Sequence, residues 1–520
     1  VKLSEAIPSE AIPSEAASTI AVNSLPATRR WPRFLRLSLT DLFFITLLFW
    51  LFMADPAGWD RLLWDGDTAL HTRTGDFILD HGYIPTTDPF SFTKPGQRWI
   101  AFQWLTGVAF SWLNRTFGLK GIVLLCGIAI AFYLTVLARD MVLRGVNGLL
   151  ALLLVMVGAS ASMIHFHARP HLFTLLFLAL ANFLIARDRE RQSWRIWLLA
   201  PLMVLWVNMH SGFPALLAVL GLLAAGCALS RDWPRTKRYG LVFAACAAAT
   251  LINPNGIALH LHVARFLNSP WAMANINEYQ SPVFRSETMY CYMGILFLAL
   301  MACARHFVRR EWTECLWILF FGAGSLVSAR HIPLFIVMAL PLVGLALNEL
   351  WVKFTAGQPR SSVPGVLAGM SEKATGNLQP VSVWTAVFIV SVALFANSKN
   401  WPTDLSAKFF PIPVVHEFAD QLGSARVFTT DQWGDYLLWT GYPRQRVFID
   451  GRSDFYGDEI GRDYLTILEG LPGWHEAMAR YKVNMVLLPP DTPLIELLSL
   501  HPGWRVLHRD KQAVLLALEP

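Results

Sequence analysis

Long apolar runs recur along most of this chain, and that recurrence limits the possible folds before any motif is considered. A helix needs roughly 17–25 predominantly apolar residues to cross the hydrocarbon of a bilayer. Runs approaching that length are read at about 39–54, 119–137, 149–164, 172–186, 196–207, 214–229, 241–252, 289–304, 316–327, 333–350 and 383–395, eleven in all. Several are short and need flanking residues to complete a crossing. Only 15% of the 520 residues are charged, against about 25% in soluble domains, and the mean hydropathy is +0.42. The expected fold class is a polytopic α-helical membrane bundle of about 11–13 transmembrane helices with a C-terminal extracytoplasmic α/β domain. Because the runs recur, the first of them is read as a span rather than as a cleaved signal peptide.

Charge between the runs sets an expected topology. Residues 1–38 contain the Ser/Glu/Ala/Ile/Pro repeat SEAIPSEAIPSEAAS at 4–18, too poor in apolar residues to order itself, and then Arg29, Arg30, Arg33 and Arg36. Clustered arginines beside a first span favour a cytoplasmic N-terminus. ARDMVLR, RDRERQSWR, RDWPRTKR and RHFVRR fall in every second connection, while HFHARPH, NMHSGF, INPNG and SARH fall in the others. That alternation is what the positive-inside rule requires, provided that 101–118 is a re-entrant or interfacial helix. If 101–118 crosses, a count of twelve or thirteen follows. The domains are then a disordered cytoplasmic tail (1–38), a bundle (39–397) with a first external loop (55–100), and a soluble α/β domain (398–520), with 351–380 as a cytoplasmic linker. In the soluble domain ARVFTT, RVFIDG, VNMVLLP and AVLLAL read as buried strands, and EIGRDYLTILEGL and HEAMARY as helices.

The first loop is acidic. Between Asp55 and Ile100 it carries seven aspartates, no glutamate, and Arg61, Arg73, Lys94 and Arg98 as its fixed positive charges. Asp65 and Asp67 form an Asp-Gly-Asp pair. The outer connections collect polar groups at the membrane edge, where such side chains usually face a cavity: His165, His167, Arg169 and His171; Asn208 and His210; Asn253 and Asn255; Arg330 and His331. A guanidinium grips phosphate in a forked geometry, which marks Arg169 and Arg330 as candidates for binding a phosphate or pyrophosphate headgroup, with His210 and His331 beside them; structural or snorkelling arginines are the rival reading. The histidines at 165, 167 and 171 allow zinc, but also helix capping or contact with a lipid phosphate. The six cysteines lie in or beside the apolar runs and read as small buried hydrophobes. The net charge of +6 is concentrated in the cytoplasmic loops, so nothing points to nucleic acid.

A long first external loop with an Asp pair, a bundle of about a dozen helices and a C-terminal external domain together resemble the C-type integral-membrane glycosyltransferases (GT-C). GDTALHTRTGDFILDHGYIPTTDPFSF followed by QRWIAFQWL is similar to the first loop of bacterial members of that superfamily. The resemblance implies a bacterial inner (cytoplasmic) membrane, a polyprenyl-phosphate or polyprenyl-pyrophosphate sugar donor, and a glycan, lipid or protein acceptor on the outer face. It implies Asp67, and next Asp65, as the catalytic base. A partly desolvated carboxylate can have its pKa raised into the range useful for that role. Asp67 also precedes an apolar-periodic stretch and suits a helix N-cap, so both readings stand. An Asp-x-Asp pair invites Mg²⁺ or Mn²⁺, as in the oligosaccharyltransferases, and Ile276-Asn277-Glu278 is similar to the segment in which those enzymes place a third carboxylate, giving Asp65, Asp67 and Glu278 as candidate ligands. TDQWGDYLLWTGYPRQRVFIDGRSDFYG resembles the oligosaccharyltransferase acceptor segment, implying Trp433, Asp435 and Tyr436 at an acceptor site and Asp450, Arg452 and Asp454 at the end of the next strand, although Trp-Gly-Asp-Tyr departs from that family's order. Packing of Trp433 and Tyr436 onto the membrane surface is the alternative. A transporter, flippase, polymer-assembly protein or non-catalytic scaffold remains the alternative function.

Overall fold

The computed structural model describes residues 32, 35–53, 59–378, 382–395 and 401–519. The 4–18 repeat, Arg29, Arg30, Arg33 and the expected boundary at 397–398 lie outside them. The first helices are α1 (Leu39–Met53), α2 (Asp67–His81), α3 (Trp104–Phe117), α4 (Leu119–Leu143), α5 (Gly148–Ser162), α6 (His171–Glu190), α7 (Leu199–Met209) and α8 (Pro214–Leu229). Then come α9 (Trp233–Ala249), α10 (Ile257–Leu267), α11 (Pro270–Asn275), α12 (Glu287–Val308), α13 (Trp312–Val327), α14 (Ile332–Thr355), α15 (Val363–Asn377) and α16 (Val383–Phe395). Each of the eleven apolar runs falls wholly or largely on a helix. Among the described residues, Leu119–Leu143, Gly148–His165, His171–Glu190, Glu287–Val308 and Ala329–Thr355 are long and apolar enough to cross a membrane, and six shorter apolar helices accompany them. The protein is a multi-pass helical membrane protein.

Two expectations shift. Helix α9 opens on WPRTKR, which dilutes its apolar content, while α10, not read as a run, is one of the short apolar helices. Within the expected 351–380 linker lies α15, where Ser362 caps the helix by accepting from the Gly365 N–H at 3.2 Å and Thr375 Oγ1 accepts from the Gly148 N–H at 2.9 Å. Local capping plus one docking contact is enough to order a Gly- and Ser-rich stretch. Helix α3, inside 101–118, has 14 residues, so it is about 21 Å long against a hydrocarbon thickness of about 30 Å. It packs on α2, α4 and α7.

Helix α4 is the spine: Cys126, Ile130, Leu134 and Met141 are fully buried, and α1, α3, α5, α6 and α14 pack around it. Lipid tails are as apolar as leucine, so helices in a bilayer associate by close packing, which small residues permit. Gly158 of α5 lies against Ile336 and Leu340 of α14, and Gly226 of α8 against Thr313 of α13. The tightest contact joins α2 to α3, where a Cβ on Gly75 would stand 1.9 Å from the Gly107 carbonyl oxygen.

The C-terminal domain holds α17 (Ile412–Glu417), α18 (Ala419–Ser424), α19 (Asp431–Gly441), α20 (Ser453–Leu468), α21 (Trp474–Arg480) and α22 (Pro493–Ser499) around a four-stranded sheet. Its strands are β1 (Val427–Thr429), β2 (Met485–Leu488), β3 (Trp504–Arg509) and β4 (Val514–Leu518), in the order β1-β2-β4-β3. β1 pairs parallel to β2, and the other two pairings are antiparallel. β3, with its irregular burial, carries no clean alternation and was not expected from sequence. RVFIDG is not a strand of this sheet. Its Val447 instead exchanges backbone hydrogen bonds with the first loop, Phe92 N–H to Val447 O at 3.0 Å and Val447 N–H to Phe90 O at 3.1 Å. With Ser406 donating to Asp60 at 2.8 Å and Lys94 to the Phe455 carbonyl at 3.0 Å, the first loop and the C-terminal domain form one body on one side of the bundle.

Replacing Gly75 by Ala overpacks the α2–α3 crossing and costs about 1–3 kcal/mol. It lowers the midpoint of thermal unfolding in detergent, whereas Gly240→Ala, where a Cβ meets nothing within 4 Å, leaves the midpoint unchanged or slightly raised.

Candidate active site beneath the soluble domain

The Asp-Gly-Asp turn shapes the start of α2. Asp67 is the first helical residue, Gly66 holds the cap position, and no side chain caps the helix there. Asp65 instead turns Oδ1 onto the Asp67 N–H at 2.9 Å. This frees the Asp67 carboxylate, which is only 8% exposed yet lies on a cavity wall. The cap reading of Asp67 is thereby corrected, because Asp67 is the first helical residue and Gly66 holds the cap position.

Arg169 closes on the same spot from the turn between α5 and α6. That turn is pinned to the first loop by the Ala168 N–H donating to Leu62 O at 2.7 Å and by Thr68 Oγ1 donating to Ala168 O at 2.8 Å. The Arg169 guanidinium reaches Asp65 Oδ2 at 3.0 Å, Asp67 Oδ2 at 2.5 Å and Glu278 Oε1 at 2.5 Å. Glu278, on a single 3₁₀ turn (Asn277–Tyr279), gives its second oxygen to Arg330 at 3.2 Å. Arg330 stacks over the Tyr279 ring at 5.4 Å.

Three carboxylates thus share two guanidiniums, and the most buried of the acids, Asp67, most resists ionisation. Burial raises the Asp67 pKa to about 7, with Arg169 pulling it down and Asp65 and Glu278 pushing it up. Burial also pushes Glu278 up, but Arg169 and Arg330 outweigh it and hold Glu278 well below the usual carboxylate range. His210 accepts at Nδ1 from the Gly212 N–H at 3.0 Å and pairs there with Thr174 Oγ1 at 2.7 Å. Burial favours the neutral ring, so its proton sits on Nε2.

These groups line one cavity of about 1170 Å³, joined by His165, His171 and His331. One flank is apolar, with Leu175, Ala218, Val263, Phe320 and Leu334 contributed by α6, α8, α10, α13 and α14. The other is the soluble domain, through Asp431, Gln432, Gly451, Ser453, Asp454 and Tyr464. Gln432 and His262 are wall residues with no signal of their own in the sequence, and His262 pairs with Asp454 at 2.6 Å, which brings that expected residue to the wall.

Several expected residues lie elsewhere. Trp433, Asp435 and Tyr436 do not line the cavity but pack inside the domain: Trp433 Nε1 donates to Phe409 O at 2.8 Å, Tyr436 OH to Asp404 at 2.9 Å, and Asp435 accepts from the Gly451 N–H at 2.9 Å. The helical period turns that face of α19 inward, so the acceptor-site expectation for these three is corrected, and so is the alternative of packing on a membrane surface. Asp435 Oδ2 has no partner, and burial together with nearby Asp67 pushes its pKa well above the usual range. Asp450 lies behind the wall and makes a two-pronged pair at 2.8 and 2.6 Å with Arg452, which does line the cavity; Asp88 stands 2.8 Å from Arg452 Nη1, and Tyr456 OH donates to Asp450. Asn208 accepts from Trp104 Nε1 at 2.9 Å, and Asn253 closes its own turn. The zinc reading of the histidines has no support, since His171 Nε2 meets the His165 carbonyl and no group of three His, Cys, Asp or Glu side chains among the described residues is disposed to hold a metal ion.

A helical membrane bundle capped by a C-terminal α/β domain, with a cavity between them and an acidic first loop on its wall, is the C-type glycosyltransferase fold. Solved structures agree. The chain is similar to the apo crystal structure of the oligosaccharyltransferase of Archaeoglobus fulgidus, with a TM-score of 0.51 and 11% identity over 86% of this chain and 69% of that one. The same enzyme tethered through a disulfide bond to an acceptor peptide containing the NVT sequon matches with a TM-score of 0.50 and 13% identity, over 92% and 74%. Apo ArnT from Cupriavidus metallidurans aligns at 14% identity over 92% of this chain and 97% of that one, with a TM-score of 0.49. No protein-family model and no curated protein matches the sequence. At these identities the likeness is one of fold.

The Asp450–Arg452–Asp88 node anchors the soluble domain on the first loop. Arg452→Met leaves two carboxylates buried without a counter-charge, which costs about 3–5 kcal/mol. Chemical unfolding of the purified protein measures this as a larger loss than Gly75→Ala produces.

Proposed function

We propose that this protein transfers a glycosyl group from a polyprenyl-phosphate or polyprenyl-pyrophosphate donor to an acceptor hydroxyl at the extracytoplasmic face, with inversion at the anomeric carbon. The observation that carries this reading is Asp67: an uncapped, nearly buried carboxylate with a pKa near 7, on the wall of a cavity that is apolar on its bundle side and polar on its soluble-domain side. The apolar flank suits a lipid tail, and the polar flank suits a hydroxylated acceptor. Alternating arginines on the opposite loops support an outward-facing site.

In this scheme the acceptor O–H gives its proton to Asp67 as its oxygen attacks the anomeric carbon. The bond from that carbon to the phosphate oxygen breaks, and the lipid phosphate departs as an anion. A base with a pKa close to the working pH combines the correct ionisation state with adequate proton affinity. Arg169 is committed to three carboxylates, so the cationic groups left for the phosphate are those of Arg330, aided by the Nε2–H of His210 and by His331. The acceptor is read as a glycan, lipid or protein hydroxyl that approaches past Gln432 and Asp454.

Asp67→Asn keeps the shape of the side chain but removes the base, and transfer of radiolabelled sugar from a polyprenyl-phosphate donor in proteoliposomes should fall by about 10²–10⁴-fold. Retained transfer with a folded variant sinks the assignment. The pH profile of kcat/KM should show an acid limb with a midpoint near 7, activity falling below it as Asp67 takes up a proton. Asp65→Asn removes a like charge that raises Asp67, so the limb should move to lower pH.

A further inference from the structure

The Asp-x-Asp pair and Glu278 are the residues that resemblance would assign to a divalent cation, and their arrangement does not fit one. Each already directs an oxygen to one guanidinium: Asp65 Oδ2, Asp67 Oδ2 and Glu278 Oε1 all lie within 3.0 Å of Arg169 nitrogens. Asp65 Oδ1 also accepts from the Asp67 N–H and Glu278 Oε2 faces Arg330, which leaves Asp67 Oδ1, beside Gly451, for the cavity. Mg²⁺ demands near-octahedral oxygen ligation at about 2.0–2.1 Å. A dication placed to collect these three carboxylates would meet the guanidinium that now gathers them, and arginine cannot shed its charge to make room.

We propose that Arg169 is a built-in substitute for that cation: a positioning residue whose forked guanidinium collects Asp65, Asp67 and Glu278 and holds the Asp67 carboxylate toward the cavity, so that the site works without a resident divalent metal. The fork suits the task because Nη1 serves Asp65 and Glu278 while Nη2 serves Asp67. Its backbone is held against the first loop through Ala168, so the charge stands at a fixed place, as a coordinated ion would. The inference concerns the glycosyl-transfer reading only in its last test arm. Its main test needs no turnover.

Titration of the purified full-length protein with Mn²⁺, followed by electron paramagnetic resonance and by thermal unfolding, decides the matter. Wild type should show no saturable site and no Mn²⁺-dependent rise in Tm. Arg169→Ala leaves three carboxylates without their shared counter-charge, and should bind Mn²⁺ at least about tenfold more tightly than wild type, a gain of about 1.4 kcal/mol, with a rise in Tm on adding Mn²⁺. The gain should vanish in the Arg169→Ala/Glu278→Gln double variant. If the alanine variant does not fold, Arg169→Gln keeps hydrogen-bond donors without the charge and should show the same gain. One saturable Mn²⁺ in wild type that Asp65→Asn or Glu278→Gln abolishes overturns the proposal, and so does a folded Arg169 variant that gains no Mn²⁺ affinity. Arg169→Lys, a point charge without the fork, should stay blind to Mn²⁺. Where transfer is measurable, wild type should keep it in excess chelator, and Arg169→Lys should lose kcat more than KM changes.

Discussion

The site is organised by one guanidinium. Arg169 meets carboxylates from the first loop and from the connection before α12, three chain segments that reach one point from different parts of the sequence. Buried charges persist in a protein only when they are paired and hydrogen-bonded, so this cluster dictates how close the segments must come and which atoms face one another. Burial of Asp67, the acid most removed from water, then raises its pKa to the working range of a base, with Asp65 and Glu278 adding to the rise and Arg169 opposing it. Positioning, charge balance and proton affinity follow from a single arrangement.

The close approach of the soluble domain has a steric condition as well. Gly66 and Gly451 lie where the Asp-Gly-Asp turn meets α19 and the Val447 segment, and a Cβ on Gly66 would stand 2.7 Å from Gln432 O. The Gly66 N–H also donates to Gln432 Oε1 at 2.6 Å. A side chain at either glycine would wedge the domain away from the cavity wall. The Trp-Gly-Asp-Tyr segment therefore acts behind the site, as packing that holds the wall residue Gln432 in place, while the wall itself is built from its neighbours.

How much of this was legible depended on the range of each signal. Apolar period and length identified the helices, because a crossing helix satisfies its own backbone and needs only a run of apolar side chains. Asn147, Asp232 and Ser362 cap their helices from within three residues, a short-range feature that the apolar period does not carry. For Asp67 the sequence left a catalytic base and a helix cap both open, since it stands at the start of α2 in an acidic loop. RVFIDG reads as a strand by composition and became a tie to the first loop instead, because β pairing is decided by which backbone lies alongside.

The sequence by itself determined a membrane bundle with a C-terminal α/β domain, an acidic first loop, and a set of candidate groups that included Asp65, Asp67, Arg169, His210, Glu278, Arg330 and His331. Only the tertiary structure decided their partners. It placed Arg169 among carboxylates, turned Trp433, Asp435 and Tyr436 inward, and brought His262 and Asp454 to the wall. The physical reason is that charge and hydrogen-bond pairing inside a low-dielectric site depend on distances of a few ångströms between residues far apart along the chain, and no local pattern encodes those distances.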